Sequence, residues 1–188
     1  MKKLIQLGVL FTLALFLAFA TSVVAQKGFV ASASLASSGV AFDNENIQNE
    51  NGFGLQIDLG YNFNPRVGLF LGIGGFALDD NNETLSYLDI GPRFYPLASR
   101  GLKPYIDLVL TGSVFEQEVD GVDFVRSGGG IGGGVGIHYF VQRRLGLNLG
   151  LTLSRMNYNE LRVNDVVVNE DDMRTWNSRI KAGVAYYF

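Results

Sequence analysis

Asp58, Asp89, Arg93, Asp107, Arg179 and Lys181 each stand within a run of alternating apolar residues. Three carboxylates and three cations so placed can neutralise one another as ion pairs, or they can line a path for ions. Catalysis would need more. The chain has one histidine, His138, and no cysteine, so thiolate chemistry, disulfides and multi-histidine metal centres are excluded. Ser127 and Ser154 are the hydroxyls on offer. A hydrolase or acyltransferase needs nucleophile, base and orienting group within reach. Both serines fall towards the opposite ends of their elements from His138. Gly128, Gly130 and Gly133 carry a G-x-G-x-x-G spacing. A phosphate loop also needs a strand before it and a helix after it. Here Ile131, Val135, Ile137 and Tyr139 continue an alternating pattern through the glycines. No catalytic residue, cofactor or metal site is therefore expected, and the chain is not read as an enzyme.

The elements that carry these charges are strands. Leu55, Ile57, Leu59, Tyr61 and Phe63 point one way, and Gly54, Gln56, Asp58, Gly60 and Asn62 the other. Leu145, Leu147, Leu149, Leu151 and Leu153 repeat the pattern against Gly146, Asn148, Gly150, Thr152 and Ser154. A period of two means a strand with one apolar and one polar face. Extended along the chain, the pattern predicts eight strands, near residues 28–37, 52–63, 66–77, 84–95, 104–115, 124–140, 144–157 and 174–188. The connections differ in kind. Those at 63–66, 96–103 and 141–144 are short or moderate, while 38–51 and 158–173 are long and polar. The segments 78–83 and 116–123 are shorter and acidic. Short turns at one end and longer loops at the other predict an all-β fold, an eight-stranded antiparallel up-and-down transmembrane β-barrel.

The start of the chain reads as an export signal. Lys2 and Lys3 precede an apolar stretch from Leu4 to Ala20, and Val23-Val24-Ala25 supplies a small-residue cleavage site. Residues 1–25 are thus expected to be a signal peptide, and 26–188 the barrel domain. Acidic residues outnumber basic ones, 18 to 15, and cleavage removes two of the basic ones. A nucleic-acid partner is not expected.

A charge facing lipid at mid-membrane would cost about 2–4 kcal/mol, so the six ionisable residues must face the lumen. An eight-stranded barrel has an interior just wide enough for side chains to fill. Arg93 and Asp107 lie near one turn and are expected to pair, with Asp58 facing Arg179 or Lys181. Glycines on the same faces, Gly68, Gly72 and Gly74 and then Gly130, Gly132, Gly134 and Gly136, make room for larger neighbours such as Phe70 and Tyr105. Aromatic residues gather towards both strand ends and leave an aliphatic band between them, as two bilayer interfaces select. Acidic residues crowd the longer loops, among them Asp43, Glu50, Asp79, Asp80, Glu116, Asp120 and Glu160. Such loops are solvated by their charge, and they could also hold divalent cations that bridge to lipopolysaccharide phosphates.

The last residues are the most specific. Lys181, Gly183, Tyr186 and Phe188 follow the pattern polar, x, Gly, x, x, aromatic, x, aromatic. With the leader, the strand count and the segment Leu88–Tyr95, the chain resembles the OmpA/OmpX-type outer-membrane β-barrel domain family. The resemblance implies residence in the outer membrane of a Gram-negative bacterium, in contact with lipid and lipopolysaccharide. It also implies recognition of the final residues by the barrel assembly machinery, and a monomer. No residues follow Phe188 to supply the peptidoglycan-binding domain of OmpA proteins, so a cell-wall tether is not expected. The expected role is structural or adhesive, or that of a minor narrow pore. The alternative is a secreted, soluble, lipocalin-like barrel binding a small apolar ligand.

Overall fold

The computed structural model describes residues 27–43, 50–78, 83–97, 101–119, 121–163, 166–168 and 173–188. The expected signal peptide, and the acidic positions 79, 80 and 120, lie outside the described residues. The strands are β1 (Gly28–Phe42), β2 (Glu50–Asn62), β3 (Val67–Leu78), β4 (Glu83–Phe94), β5 (Leu102–Val119), β6 (Val122–Phe140), β7 (Leu145–Val163), β8 (Val166–Val168) and β9 (Met173–Tyr187). Each of the first seven pairs antiparallel with the next. β9 pairs with β7 on one side and β1 on the other, which closes an eight-membered ring. β8 stands outside that ring, paired only with the tip of β7. Gly28, Phe188, the turns at 63–66 and 141–144, and the β4 and β5 ends at Phe94 and Leu102 gather at one end, the turn end; the other is the loop end.

Several glycines permit close backbone approach between strands, Gly183 and Gly91 among them. A Cβ on Gly183 would lie 2.5 Å from the Ser34 backbone, so only glycine lets β9 meet β1 there. On β4 a Cβ on Gly91 would strike the Leu108 carbonyl. The β4–β5 ladder skips Gly91 and Pro92 and resumes at Arg93↔Asp107. Proline has no N–H to donate, which accounts for the gap beside it.

Parity decides which face meets lipid. Leu55, Ile57 and Leu59 are 63, 57 and 54% exposed, whereas Asp58 between them is 3% exposed. The outward aliphatic belt on β7 runs from Leu145 to Leu153. At about 3.4 Å per residue and a tilt of about 40°, it covers roughly 20 Å of depth, close to the apolar band of outer-membrane barrels.

Beyond the belt the polarity inverts. Thr84, Ser86 and Arg155 now point outwards, exposed. Val40, Phe76, Leu78, Leu85, Tyr87, Phe115, Met156 and Tyr158 pack inside as an apolar core. The physical reason is the change of solvent. In lipid the outer face must be apolar, whereas in water the inner one must be. This inversion explains where the strands outrun the sequence pattern. The expected loop at 116–123 is the tip of the β5–β6 hairpin, turned at Gly121 with φ +78°. The expected loop at 158–173 contains the last residues of β7 and all of β8.

The aromatic residues also divide by parity. Phe29, Phe53, Phe63, Phe94, Tyr139, Trp176, Tyr186 and Phe188 face outwards. Phe76, Tyr87, Tyr95, Tyr105, Phe115, Tyr158 and Tyr187 are buried inside. The expected two rims at the bilayer interfaces therefore hold only part of the set. Height along the barrel comes from position in the strand, but the face comes from odd or even numbering.

Candidate functional site

The lumen gathers the chemistry. Arg93 and Asp107 are opposed in the β4–β5 register. Arg93 donates from Nε to Oδ1 and from Nη2 to Oδ2 of Asp107, both at 2.7 Å. This is the bidentate geometry that a guanidinium fork offers a carboxylate. The same guanidinium stacks 4.1 Å from the centre of the Tyr105 ring and 4.7 Å from Phe70.

The other two carboxylates have separate cations. Lys181 donates from Nζ to Asp58 Oδ2 at 2.6 Å. Asp58 also accepts from Ser32 Oγ at 3.1 Å and from Gln56 Nε2 at 2.7 Å. Arg179 Nη1 lies 2.7 Å from Asp89 Oδ2 and its guanidinium 4.2 Å from the Tyr87 ring. Thr111 Oγ1 donates to the remaining Asp89 oxygen at 2.8 Å. Gly72 stands opposite both Asp58 and Asp89, and a Cβ there would sit 2.7 Å from Asp58 Oδ1. The glycine of β3 thus makes room for the carboxylates on either side.

All six ionisable residues singled out in the sequence thus sit in one lumen, each in a pair, with Lys181 rather than Arg179 on Asp58. Above them, towards the loop end, lies the apolar core. The structure adds Lys103, which the sequence reading did not place in the lumen, and sets it beside His138. Lys103 and His138 are opposed in the β5–β6 register, at the turn end. The Lys103 ammonium lies 3.8 Å from the centre of the Tyr95 ring and 5.0 Å from that of Tyr187. His138 Nδ1 is hydrogen-bonded to the Tyr187 hydroxyl. Tyr105 leans against β6 over Gly136, where a Cβ would collide with its ring, and donates to Asn148 Oδ1 at 3.1 Å. Lys103 was legible by parity, since 103, 105 and 107 share one face of β5.

The serines stand away from the histidine. Ser154 is fully buried on β7, six residues beyond Asn148, which pairs with His138. That is roughly 20 Å along the strand. Ser127 is farther still along β6. Neither makes a nucleophile–base pair with His138.

Residues 10–188 match the family model described as the outer membrane protein beta-barrel domain. No curated protein sequence matches. Neisserial surface protein A is similar in structure, with a TM-score of 0.68 at 19% identity over 88% of this chain and 99% of that one. OprG of Pseudomonas aeruginosa gives a TM-score of 0.58 at 13% identity, over 86% of this chain and 96% of that one. Ail, the attachment invasion locus protein of Yersinia pestis, gives 0.55 at 16% identity, over 85% and 99%. At these identities the likeness is one of fold.

Proposed function

Because the chain belongs to the outer membrane protein beta-barrel domain family and resides in the Gram-negative outer membrane, we propose that it is a plugged, non-enzymatic barrel with a structural or adhesive role. One observation carries the reading: the lumen holds two stacked barriers of different kinds. Three buried ion pairs occupy the middle. An apolar core lies over them at the loop end. An ion entering would have to displace paired charges and then cross a largely apolar layer, both costly. The lumen is also unsuited to the alternative of a soluble carrier of an apolar ligand, which needs its charges outside and its aliphatic face inside.

With the bore closed, the working surface is the loop end. Val166, Val167 and Val168 of β8 are 64, 58 and 43% exposed there, beyond the aliphatic belt. Exposed apolar residues on a projecting strand suit contact with another surface. Acidic loop residues would serve lipopolysaccharide through bridging divalent cations. At the other end, Lys181, Gly183, Tyr186 and Phe188 would be read by the assembly machinery, and the barrel would work as a monomer. Phe188 suits that role because its ring is 68% exposed, stacked edge-on with Tyr186 at 4.9 Å.

The test is conductance of the purified protein in a planar lipid bilayer. The expected result is no steady conductance. Discrete, reproducible openings from the unaltered protein would overturn the plugged reading. Openings that change size in Arg93→Ala or Asp107→Ala would identify the charge network as the gate of a narrow pore.

A further inference from the structure

The lumen's cations and carboxylates do not balance at the turn end. Asp107 is held on both oxygens by Arg93, Asp58 by Lys181, and Asp89 by Arg179. Lys103 is 3% exposed, and its Nζ has no hydrogen-bond partner among the described residues. Its ammonium rests on the faces of Tyr95 and Tyr187. Ring faces compensate a desolvated cation only in part, well short of what an anion gives.

The histidine beside it repeats the imbalance. His138 is fully buried, and its Nε2 also lacks a partner among the described residues. In the tautomer whose Nδ1 accepts from the Tyr187 hydroxyl, Nε2 carries the proton and is a second donor without an acceptor among the described residues. Asn148, the cross-strand neighbour of His138, is already engaged. Its Oδ1 accepts from Tyr105 and its Nδ2 donates to Ser34 Oγ. Opposed residues on antiparallel strands have Cα atoms about 4.5–5.5 Å apart, so Lys103 and His138 reach the same space.

We propose that Lys103 and His138 form an anion site at the turn end of the lumen, suited to a small inorganic oxyanion of the phosphate class. The Lys103 ammonium leaves the Tyr95 ring to meet one oxygen, and His138 Nε2 donates to another. The anion restores the charge balance that the three ion pairs leave open. No bond is made or broken, and the site is distinct from the paired network deeper in the lumen.

A single histidine makes the test specific, because the chain yields one imidazole signal. The full chain, ¹⁵N-labelled at histidine and without a histidine tag, is titrated with inorganic phosphate in a non-ionic detergent. Chloride holds the ionic strength and the pH is fixed. The expected result is a saturable shift of the His138 Nε2 signal. Lys103→Met keeps the apolar stem over the rings but removes the charge, and is expected to weaken the apparent affinity at least about tenfold, the worth of one charge-assisted hydrogen bond. Lys103→Arg is expected to retain the shift. A signal in the unaltered protein that is unmoved, or that drifts linearly without saturation, would overturn the proposal. So would an unchanged affinity in Lys103→Met. The unaltered protein alone decides the first point, whatever the variants do to folding.

Discussion

Asp107→Ala is expected to destabilise the folded barrel by about 3–5 kcal/mol, because it strands the Arg93 guanidinium in the lumen. Arg93 and Asp107 are only 3% and 4% exposed. The substitution removes both of the bidentate bonds at once. The neighbouring carboxylates offer no replacement, since Lys181 and Arg179 already hold them. Stacking on Tyr105 and Phe70 leaves the charge itself uncompensated. The double substitution Arg93→Met with Asp107→Leu removes both charges and fills similar volume. It is expected to be within about 1 kcal/mol of the parent, or more stable. Urea unfolding in lipid vesicles, followed by the emission of the lone tryptophan, measures both. A single variant that loses less than the double would contradict the paired-charge reading.

Phe76→Ala is expected to cost a similar amount, about 3–5 kcal/mol, for a different reason. Phe76 lies at the loop end, 3% exposed, in the core with Leu85, Tyr87, Phe115 and Tyr158. Its ring meets Tyr87 edge-on, with centroids 5.5 Å apart. Truncation leaves a cavity in a layer surrounded by water rather than lipid, so the full transfer and cavity costs apply. Val167→Ala, on the exposed β8 strand, is expected to stay within about 0.5 kcal/mol under the same unfolding assay. Equal effects at the two sites would mean that the loop-end core does not hold the hairpins together.

Most of this architecture was legible because a membrane barrel writes its two faces into odd and even positions. Leu145 to Leu153 against Gly146 to Ser154 gave the strand, its faces and its lumen side at once. The Arg93 and Asp107 positions flanked one turn, so their opposition followed from hairpin geometry. The partner of Asp58 did not. It depends on the closing register of β1 with β9, which joins the two ends of the chain. In that register Ser34 meets Gly183 and Ala36 meets Lys181, and local sequence carries no trace of the offset. The loop-end core was hidden for a second reason. Past Ser86 on β4 and Leu153 on β7, the outward residues turn polar and the inward ones apolar. A pattern read as apolar-out therefore ends there, although the strands continue. Height along the barrel alone does not separate Phe53, facing out, from Phe76, facing in.

Trp176 reports directly on which face of the strands lies in lipid. It is the chain's one tryptophan, 50% exposed on the outer wall. It pairs with Arg155, just past the last leucine of the β7 belt, and Arg155 stacks on its ring. In vesicles of brominated lipids, its fluorescence is expected to be quenched most by bromines near the headgroups. That corresponds to a depth of roughly 12 Å from the bilayer centre, half the height of a typical barrel belt. Bromines at the acyl-chain ends should quench it weakly. Strongest quenching at the bilayer centre, or none from any lipid, would place the aliphatic belt elsewhere and contradict the account.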